Sequence, residues 1–391
     1  MTLSITQTRI ESIDLLKGLV MVIMALDHTR DFFHASVLIF DPTDSTKSTL
    51  PIFFTRFITH FCAPTFSFLA GVSAYMVGRR KNINELSTFL FTRGLWLVFI
   101  ELTIVNFGWN FDIQFRNTGL AVIWCLGISM IFLAALIYLP KPLILIFSCL
   151  LIFGHNLFDG QHFDNNFLWA LLHEGGDFSF WNNYKIYVGY PIVPWIAVMS
   201  LGYIFGSLYN SSFDHTKRKI ILNSIGISAI LLFFILNVTN FYCDSENWIY
   251  YETFSKTLMS FLNLAKYPPS LLFLLITLGI AFLFLANTEN FKGKIVGFFN
   301  VFGRVPFFYY ILHLYLIHFL SMIAAEISGY SWHNQIYIDD ESFLLGLKGY
   351  GFSLWVVYLV WITVIAMLYP LCKWFDKYKT EHKEKWWLSY L

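Results

Sequence analysis

The feature that most limits this chain is its succession of apolar runs long enough to cross a bilayer, separated by short polar stretches. A span needs about 20 apolar residues, because the hydrocarbon core is about 30 Å thick and a helix rises about 1.5 Å per residue. Candidate spans are 13–33, 52–78, 86–108, 118–139, 142–158, 190–209, 219–240, 267–287, 298–325 and 351–374. They predict an all-α polytopic membrane protein, a bundle of about ten transmembrane helices in one integral-membrane domain over 1–391, with a tail at 376–391. Only 13% of the 391 residues are charged and mean hydropathy is +0.60. A soluble domain carries about 25% charge and could not cover itself with so little. A net charge of +1 offers no basic signature for nucleic acid. Cys62, Cys125, Cys149, Cys243 and Cys372 are scattered, with neither metal-ligand spacing nor a disulfide framework, so no metal is expected. No cleavage site follows the first apolar run, which reads as a retained helix.

Lys and Arg alternate between loops in phase. One set holds Arg79–Lys81, Lys141, Lys217–Lys219, Lys292 and Lys294, and the tail adds Lys377, Lys379, Lys383 and Lys385. The other set holds Asp41, Asp44, Asp159, Asp164, Glu174, Asp177, Asp244, Glu246, Glu252 and Asp339–Glu341. The positive-inside rule then predicts both termini in the cytoplasm and the longer, Trp- and Tyr-rich loops outside. The expected location is a cell's inner (cytoplasmic) membrane, crossed many times. The outer loops suit a polar small-molecule or sugar site, or simply an aromatic belt.

The first span, IDLLKGLVMVIMALDHTRDFF, organises the rest. As a helix it places 14, 17, 18, 21, 24, 25, 28 and 31 on one face, with Asp14 and Lys17 at one end and His28 and Asp31 at the other. Such a stripe either snorkels into the two headgroup regions or faces a cavity, because ionisable groups are expensive in hydrocarbon. Arg56 and His60, four apart, share a face of the second span. Arg93, Glu101 and Asn106 step outward along the third, and Arg304, His313 and His318 along the ninth. YPIVPW and KYPPS open two further spans with proline pairs. Two polar layers result. An outer one holds Asp27, His28, Arg56, His60, Asn106, Lys266 and His318; an inner one holds Lys17, Arg93, Arg304 and Arg79–Arg80–Lys81. The layering suggests an anionic molecule arriving from the cytoplasm and chemistry nearer the outer face.

A histidine can take a proton from an attacking hydroxyl or amine and return it. Asp27 points about 100° away from His28 on a helix. Asp31, one turn on, or Glu101 from another helix is better placed to orient the ring. A transferase with a phosphorylated donor would use inner Arg and Lys to hold its phosphates. A transporter of polar solutes is the alternative, since proline-broken helices and buried ions suit it.

The spacing Asp14, Lys17, His28 is similar to the first-helix motif of type 3 transmembrane acyltransferases. The fuller resemblance is to the bacterial DUF1624 branch, the heparan-α-glucosaminide N-acetyltransferase-like proteins. SIDLLKGLVMVIMALDHTRDFF, TRFITHFCAPTFSFLAG, TRGLWLVFIE, YPIVPWIAVMSLGYIFG, KYPPSLLFLLITLG and FGRVPFFYYILHLYLIH carry it, within 9–325. The resemblance implies an enzyme that takes acetyl from cytoplasmic acetyl-CoA and passes it to an amine or hydroxyl of an extracytoplasmic sugar or glycan. By that analogy His28, Asp27, Asp31, His60 and Glu101 are the candidate catalytic residues, and Lys17, Arg93, Arg304, Arg79 and Arg80 would hold the donor. Arg56, Asn106, Lys266, His313 and His318 would hold the acceptor, and a homodimer is allowed. The eukaryotic relatives carry Asn where His28 stands, a catalytic His somewhat later, and an acidic residue where His60 falls. His34 is the nearest counterpart to that later His, with different spacing. An acyl-histidine intermediate and direct transfer with His28 as base therefore both remain open.

Overall fold

The computed structural model describes residues 10–180, 184–240 and 247–389; Asp244, Glu246 and Cys243 lie outside them. The described chain is mostly helical. It opens with α1 (Glu11–Phe33), then α2 (Leu50–Phe57) and α3 (Cys62–Gly78), α4 (Ile83–Ile100) and α5 (Asn106–Asn110). A strand β1 (Asn117–Leu120) precedes α6 (Val122–Leu136) and α7 (Lys141–Gly154). The turn α8 (Phe167–Trp169) leads to strands β2 (Gly176–Phe180) and β3 (Tyr184–Val188), followed by α9 (Ile192–Phe205) and α10 (His215–Thr239). After these come α11 (Phe254–Leu262), α12 (Leu271–Thr288), α13 (Lys294–Arg304), α14 (Pro306–Ile327), α15 (Asp340–Gly346) and α16 (Leu354–Glu381). Among the described residues, eight helical stretches are long and apolar enough to cross a membrane; α1 carries too many charges to be counted among them and α6 is only 15 residues long. The protein is a multi-pass integral membrane protein.

Local chemistry sets the boundaries. Asn82 and Glu85 form a reciprocal cap, with Glu85 N donating to Asn82 Oδ1 at 2.9 Å and Asn82 N donating to the Glu85 carboxylate at 3.2 Å, which starts α4. Ser270 Oγ accepts from Phe273 N at 3.1 Å and starts α12. The run 267–287 thus becomes a helix only from Leu271, after an isolated bridge between Lys266 and Pro269. The expected span 298–325 divides in two: Pro306 sits at the first turn of α14, where a missing N–H is tolerated, and α13 ends at Arg304. Arg304 therefore belongs to a short separate helix rather than to the long spanning one.

Two spans carry internal breaks. A 3₁₀ turn, Ile58–Phe61, separates α2 from α3. It advances about 120° per residue instead of 100°, so Arg56 and His60 do not share one face. A π-helical turn, Glu101–Val105, separates α4 from α5. Three strands were not foreseen. β1 pairs parallel with β3, and β2 pairs antiparallel with β3, in the order β1-β3-β2. The residues expected to begin the 118–139 span form β1 instead.

Helix α1 lies at the centre of the bundle, packed against α3, α12, α13, α14 and α16. Its carbonyls are gripped from two sides: Trp361 Nε1 donates to Val22 O at 2.8 Å and Cys62 Sγ to Val20 O at 3.3 Å. The crossing with α13 brings backbone against backbone. A Cβ on Gly18 would lie 1.8 Å from Phe299 O, and one on Gly303 would lie 1.9 Å from Asp14 O. This contact sets Arg304 beside the first turn of α1, with its Nε 3.8 Å from Asp14 Oδ2.

Candidate active site

The polar stripe of α1 faces a chain of three cavities. The innermost, of about 750 Å³, is walled by Ile10, Lys17, Arg80, Lys81, Lys379, Lys383 and Lys385 among others. It shares Asp14, Lys17, Ser73, Val77, Phe89 and Lys379 with a second cavity of about 310 Å³, which runs past Arg93, Met21 and Leu97. The second meets a third, of about 560 Å³, at Met24, Phe66, Val122 and Tyr310. The third contains Asp27, His28, Asp31, Arg56, Glu101, Asn106 and Lys266 in its wall. Asp14, Lys17, Met21, Met24, His28 and Asp31 thus line the route, and Gly18 meets α13. The stripe serves a cavity rather than the headgroups. From Lys17 to His28 the helix climbs roughly 16 Å at 1.5 Å per residue.

His28 is half-buried and its Nδ1 lies 2.8 Å from His313 Nε2. His313 is fully buried, with Nδ1 2.9 Å from the Tyr309 carbonyl oxygen. A carbonyl only accepts, so a neutral His313 carries its proton on Nδ1 and donates to Tyr309. Its Nε2 then accepts from His28 Nδ1–H, which leaves the His28 Nε2 lone pair as the ring's acceptor. Trp109 meets the His28 ring edge-on at 4.8 Å between centroids and Tyr310 at 6.2 Å. The partner of His28 is therefore another imidazole from α14, and neither Asp31 nor Glu101 fills that place.

Those carboxylates have other partners. Asp31 Oδ1 accepts from Arg30 at 2.5 Å. Asp27 pairs with Arg30 at 3.0 Å and with Arg56, whose guanidinium donates to it. Glu101, at the start of the π turn, accepts from Trp124 N at 2.9 Å and so caps α6. Asn106 holds β1 to that turn: its amide donates to Glu101 O at 2.6 Å and Gly119 O at 3.0 Å, and its Oδ1 accepts from Gly119 N at 2.6 Å. Lys266 sits 5.1 Å from the Tyr267 ring centroid.

Two outer residues do not reach the cavity wall. His60 is buried against Phe57 and Phe273. His318 stacks on Phe111 at 3.9 Å, and its ring nitrogens face Gly108 O and Gln335 O at 2.9 and 3.0 Å. Among the inner residues, Lys17 donates to Ser73 Oγ at 2.8 Å, Arg93 lies over Phe89 at 5.9 Å, and Arg304 pairs with Asp376 at 3.3 Å. Arg80 lines the innermost cavity, whereas Arg79 turns to Ser211 at 3.4 Å.

The sheet supplies wall residues that the sequence did not announce: Asn117, Thr118 and Gly119 from β1, Asp177 from β2, Lys185 and Tyr187 from β3. Tyr337 joins them from a later loop and Asp340 from the first turn of α15. A hydrogen bond from Tyr337, with Lys185 Nζ 3.2 Å away, holds the Asp340 carboxyl below the usual carboxylate range against partial burial. Trp109 and Tyr310 were hidden among 21 tyrosines and 13 tryptophans. Their signal, in retrospect, is their position beside Asn106 and His313.

The arrangement can hold an anionic, elongated molecule in the basic inner cavity, thread it past apolar walls, and present its far end to an imidazole beside a polar outer chamber. Curated proteins give no match to this chain. A family profile described as heparan-α-glucosaminide N-acetyltransferase, catalytic, matches residues 9–240, more than half of the chain. That stretch includes α1 with His28, the α2–α3 segment with Arg56, Glu101 with its π turn, and the three-stranded sheet. The chain belongs to the heparan-α-glucosaminide N-acetyltransferase catalytic family.

Proposed function

We propose that this protein is a transmembrane acetyltransferase that takes acetyl from acetyl-CoA at the basic cavity and delivers it to an amine or hydroxyl of a sugar or glycan in the outer chamber. The observation that carries the reading is the unbroken sequence of wall residues from Lys379 and Lys17, through Met24 and Tyr310, to His28. The phosphates of the donor would lie among Lys17, Arg80, Lys81, Arg93, Lys379, Lys383 and Lys385, where each cation attracts them. Its thioester would lie near the junction at Tyr310. The acceptor would sit among Asp27, Arg56, Lys266, Asp177 and Lys185.

In the reaction the acceptor nitrogen or oxygen attacks the thioester carbonyl carbon. A C–N or C–O bond forms, the C–S bond breaks, and the electron pair leaves on sulfur. His28 Nε2 takes the proton of the attacking group and passes it to the departing thiolate, giving free CoA. His313 holds the ring in the tautomer that this requires and Trp109 keeps it in place. Direct transfer needs only these groups.

Ten spans and two cytoplasmic termini fit this scheme. Ile10 and Leu388 line the same cavity, which supports a chain whose two ends lie on one side of the membrane, as an even number of crossings requires. Arg80 and Lys81 of the loop after α3, with Lys383 and Lys385 of the segment after α16, gather there too, which favours the cytoplasmic side. The whole chain would then act as one domain in a cytoplasmic membrane, with the sheet on the far side.

Replacing His28 with Ala tests the reading. Acetyl transfer should fall by at least about 100-fold, within the usual contribution of acid–base catalysis. Acetyl-CoA should still raise the melting temperature of the variant, because a ligand that binds only the folded state stabilises it. A fully active His28→Ala protein removes His28 from the chemistry. Absence of any thermal shift at saturating acetyl-CoA in the unaltered protein, together with solute uptake into proteoliposomes without CoA, would favour a transporter instead.

A further inference from the structure

A second cluster of reactive side chains lies away from the cavities, where α7 runs out. His155 sits in a 3₁₀ turn after α7, Asp159 one turn later, and His173 in a π turn after α8. One ligand atom from each of the three lies within 4.8 Å of the others. His173 Nε2 is 2.8 Å from Asp159 Oδ1. His155 is only 2% exposed and His173 only 4%. Neither ring nitrogen of His155 has a hydrogen-bond partner among the described residues. A neutral imidazole offers one donor and one acceptor, and leaving such groups buried and unpaired is unfavourable. Nothing in the acyl-transfer scheme uses this histidine.

The geometry points to a divalent transition-metal site, Zn²⁺ by its ligand chemistry, formed by His155, Asp159 and His173. Two imidazoles and one carboxylate form a donor set that zinc accepts in tetrahedral geometry, with a fourth position left to water. Ligands bound at about 2.0–2.2 Å in a tetrahedron stand roughly 3.3–3.6 Å apart. Closing the cluster from its present spread takes small side-chain rotations and displaces the proton shared by His173 and Asp159. Asp159 keeps the cluster in touch with water, its side chain being 23% exposed. Phe158 and Trp169 pack around the His173 ring, at 6.2 and 5.3 Å.

Outer contacts already orient the carboxylate, as metal ligands require. Asn156 Nδ2 donates to Asp159 Oδ2 at 2.7 Å, and Asn156 Oδ1 accepts from Leu271 N, the first residue of α12, at 2.9 Å. His173 is followed by Gly175 and Gly176 at φ +78° and +125°, which turn the chain into β2. The ion would therefore tie three segments together: the end of α7, the approach to β2 with Asp177, and the start of α12 just after Lys266 and Tyr267. The last two carry wall residues of the outer chamber. Its role is to brace that wall, and it requires no particular acyl acceptor.

The test uses the full-length protein purified in detergent with a histidine-free tag, stripped with chelator and titrated with Co²⁺. One equivalent should bind with the visible absorption of a tetrahedral site, and Zn²⁺ should bleach it. Asp159→Asn keeps the side-chain shape, and His155→Ala removes a ligand. Each folded variant should bind Co²⁺ at least tenfold more weakly and lose the zinc-induced rise in melting temperature. Failure of the unaltered protein to take up one equivalent, or unaltered affinity in either folded variant, overturns the assignment. Because the readout is metal content and not acetyl transfer, its failure leaves the acetyltransferase reading untouched.

Discussion

A single residue pair carries most of the proposed chemistry. A lone imidazole in a cavity can present either nitrogen, and it tumbles between rotamers. The His28–His313 contact removes both freedoms, because the Tyr309 carbonyl fixes the proton of His313 and His313 fixes that of His28. A second imidazole here does what a carboxylate does in other base-orienting pairs, without adding a charge to the low-dielectric interior. His313→Ala should therefore lower kcat for acetyl transfer by on the order of 10²-fold while KM for acetyl-CoA stays within a factor of two or so. A KM increase with unchanged kcat, measured by steady-state kinetics, would instead make His313 a binding residue. From sequence, His313 counted as an acceptor-binding group, because a histidine on the ninth span can be ranked by depth but not by the neighbour it meets 285 residues away. The same limit hid His155 and His173. HNLF reads as the end of the 142–158 span and ALLHE as part of the loop that follows it, until folding places His155, Asp159 and His173 side by side.

At the scale of elements, helices were legible and their interruptions were not. Apolar length marks a span because the bilayer enforces it, and each predicted run contains a helix. The π turn at Glu101–Val105 has tertiary partners, Trp124 N for Glu101 and the Asn106–Gly119 bonds, and the 3₁₀ turn at Ile58–Phe61 interrupts an otherwise apolar run. That is why Arg56 reaches Asp27 whereas His60 turns into the phenylalanines. The sheet was missed for a related reason: FSF and YKIYV are too short to stand out beside runs of 20 apolar residues. The α1–α13 crossing makes its own demand. Gly18 and Gly303 oppose backbone carbonyls at distances that no Cβ can occupy, so Gly303→Ala must push the helices apart. The expected loss is about 1–3 kcal/mol of stability, the usual range for overpacking, with Arg304 drawn away from Asp14. Thermal unfolding with and without acetyl-CoA reads this directly. An unshifted melting temperature would mean that the two helices slide past each other without penalty.

Across the whole molecule, charge is sorted by end. The inner cavity gathers Lys17, Arg80, Lys81, Lys379, Lys383 and Lys385 from both extremities of the chain and the loop between α3 and α4. The outer chamber mixes signs: Asp27, Asp177 and Asp340 against Arg56, Lys185 and Lys266. A net charge of +1 conceals this polarity; only the loop-by-loop alternation of Lys and Arg revealed it. The segregation has a kinetic consequence. A phosphate-rich donor approaching a cluster of cations is steered by a field that salt screens, with a Debye length falling from about 10 Å at 0.1 M to about 3 Å at 1 M. An acyl pantetheine, which has the same thioester arm but no nucleotide phosphates, lacks that attraction. Raising ionic strength from 0.05 to 0.5 M should therefore raise KM for acetyl-CoA by roughly three- to tenfold, while KM for acetyl-pantetheine, higher from the outset, stays nearly constant. Lys17→Gln combined with Lys379→Gln should flatten the acetyl-CoA dependence toward that of the pantetheine. If both donors respond to salt alike in the unaltered protein, the basic cavity is not where the phosphates bind, and the donor must reach His28 by another route.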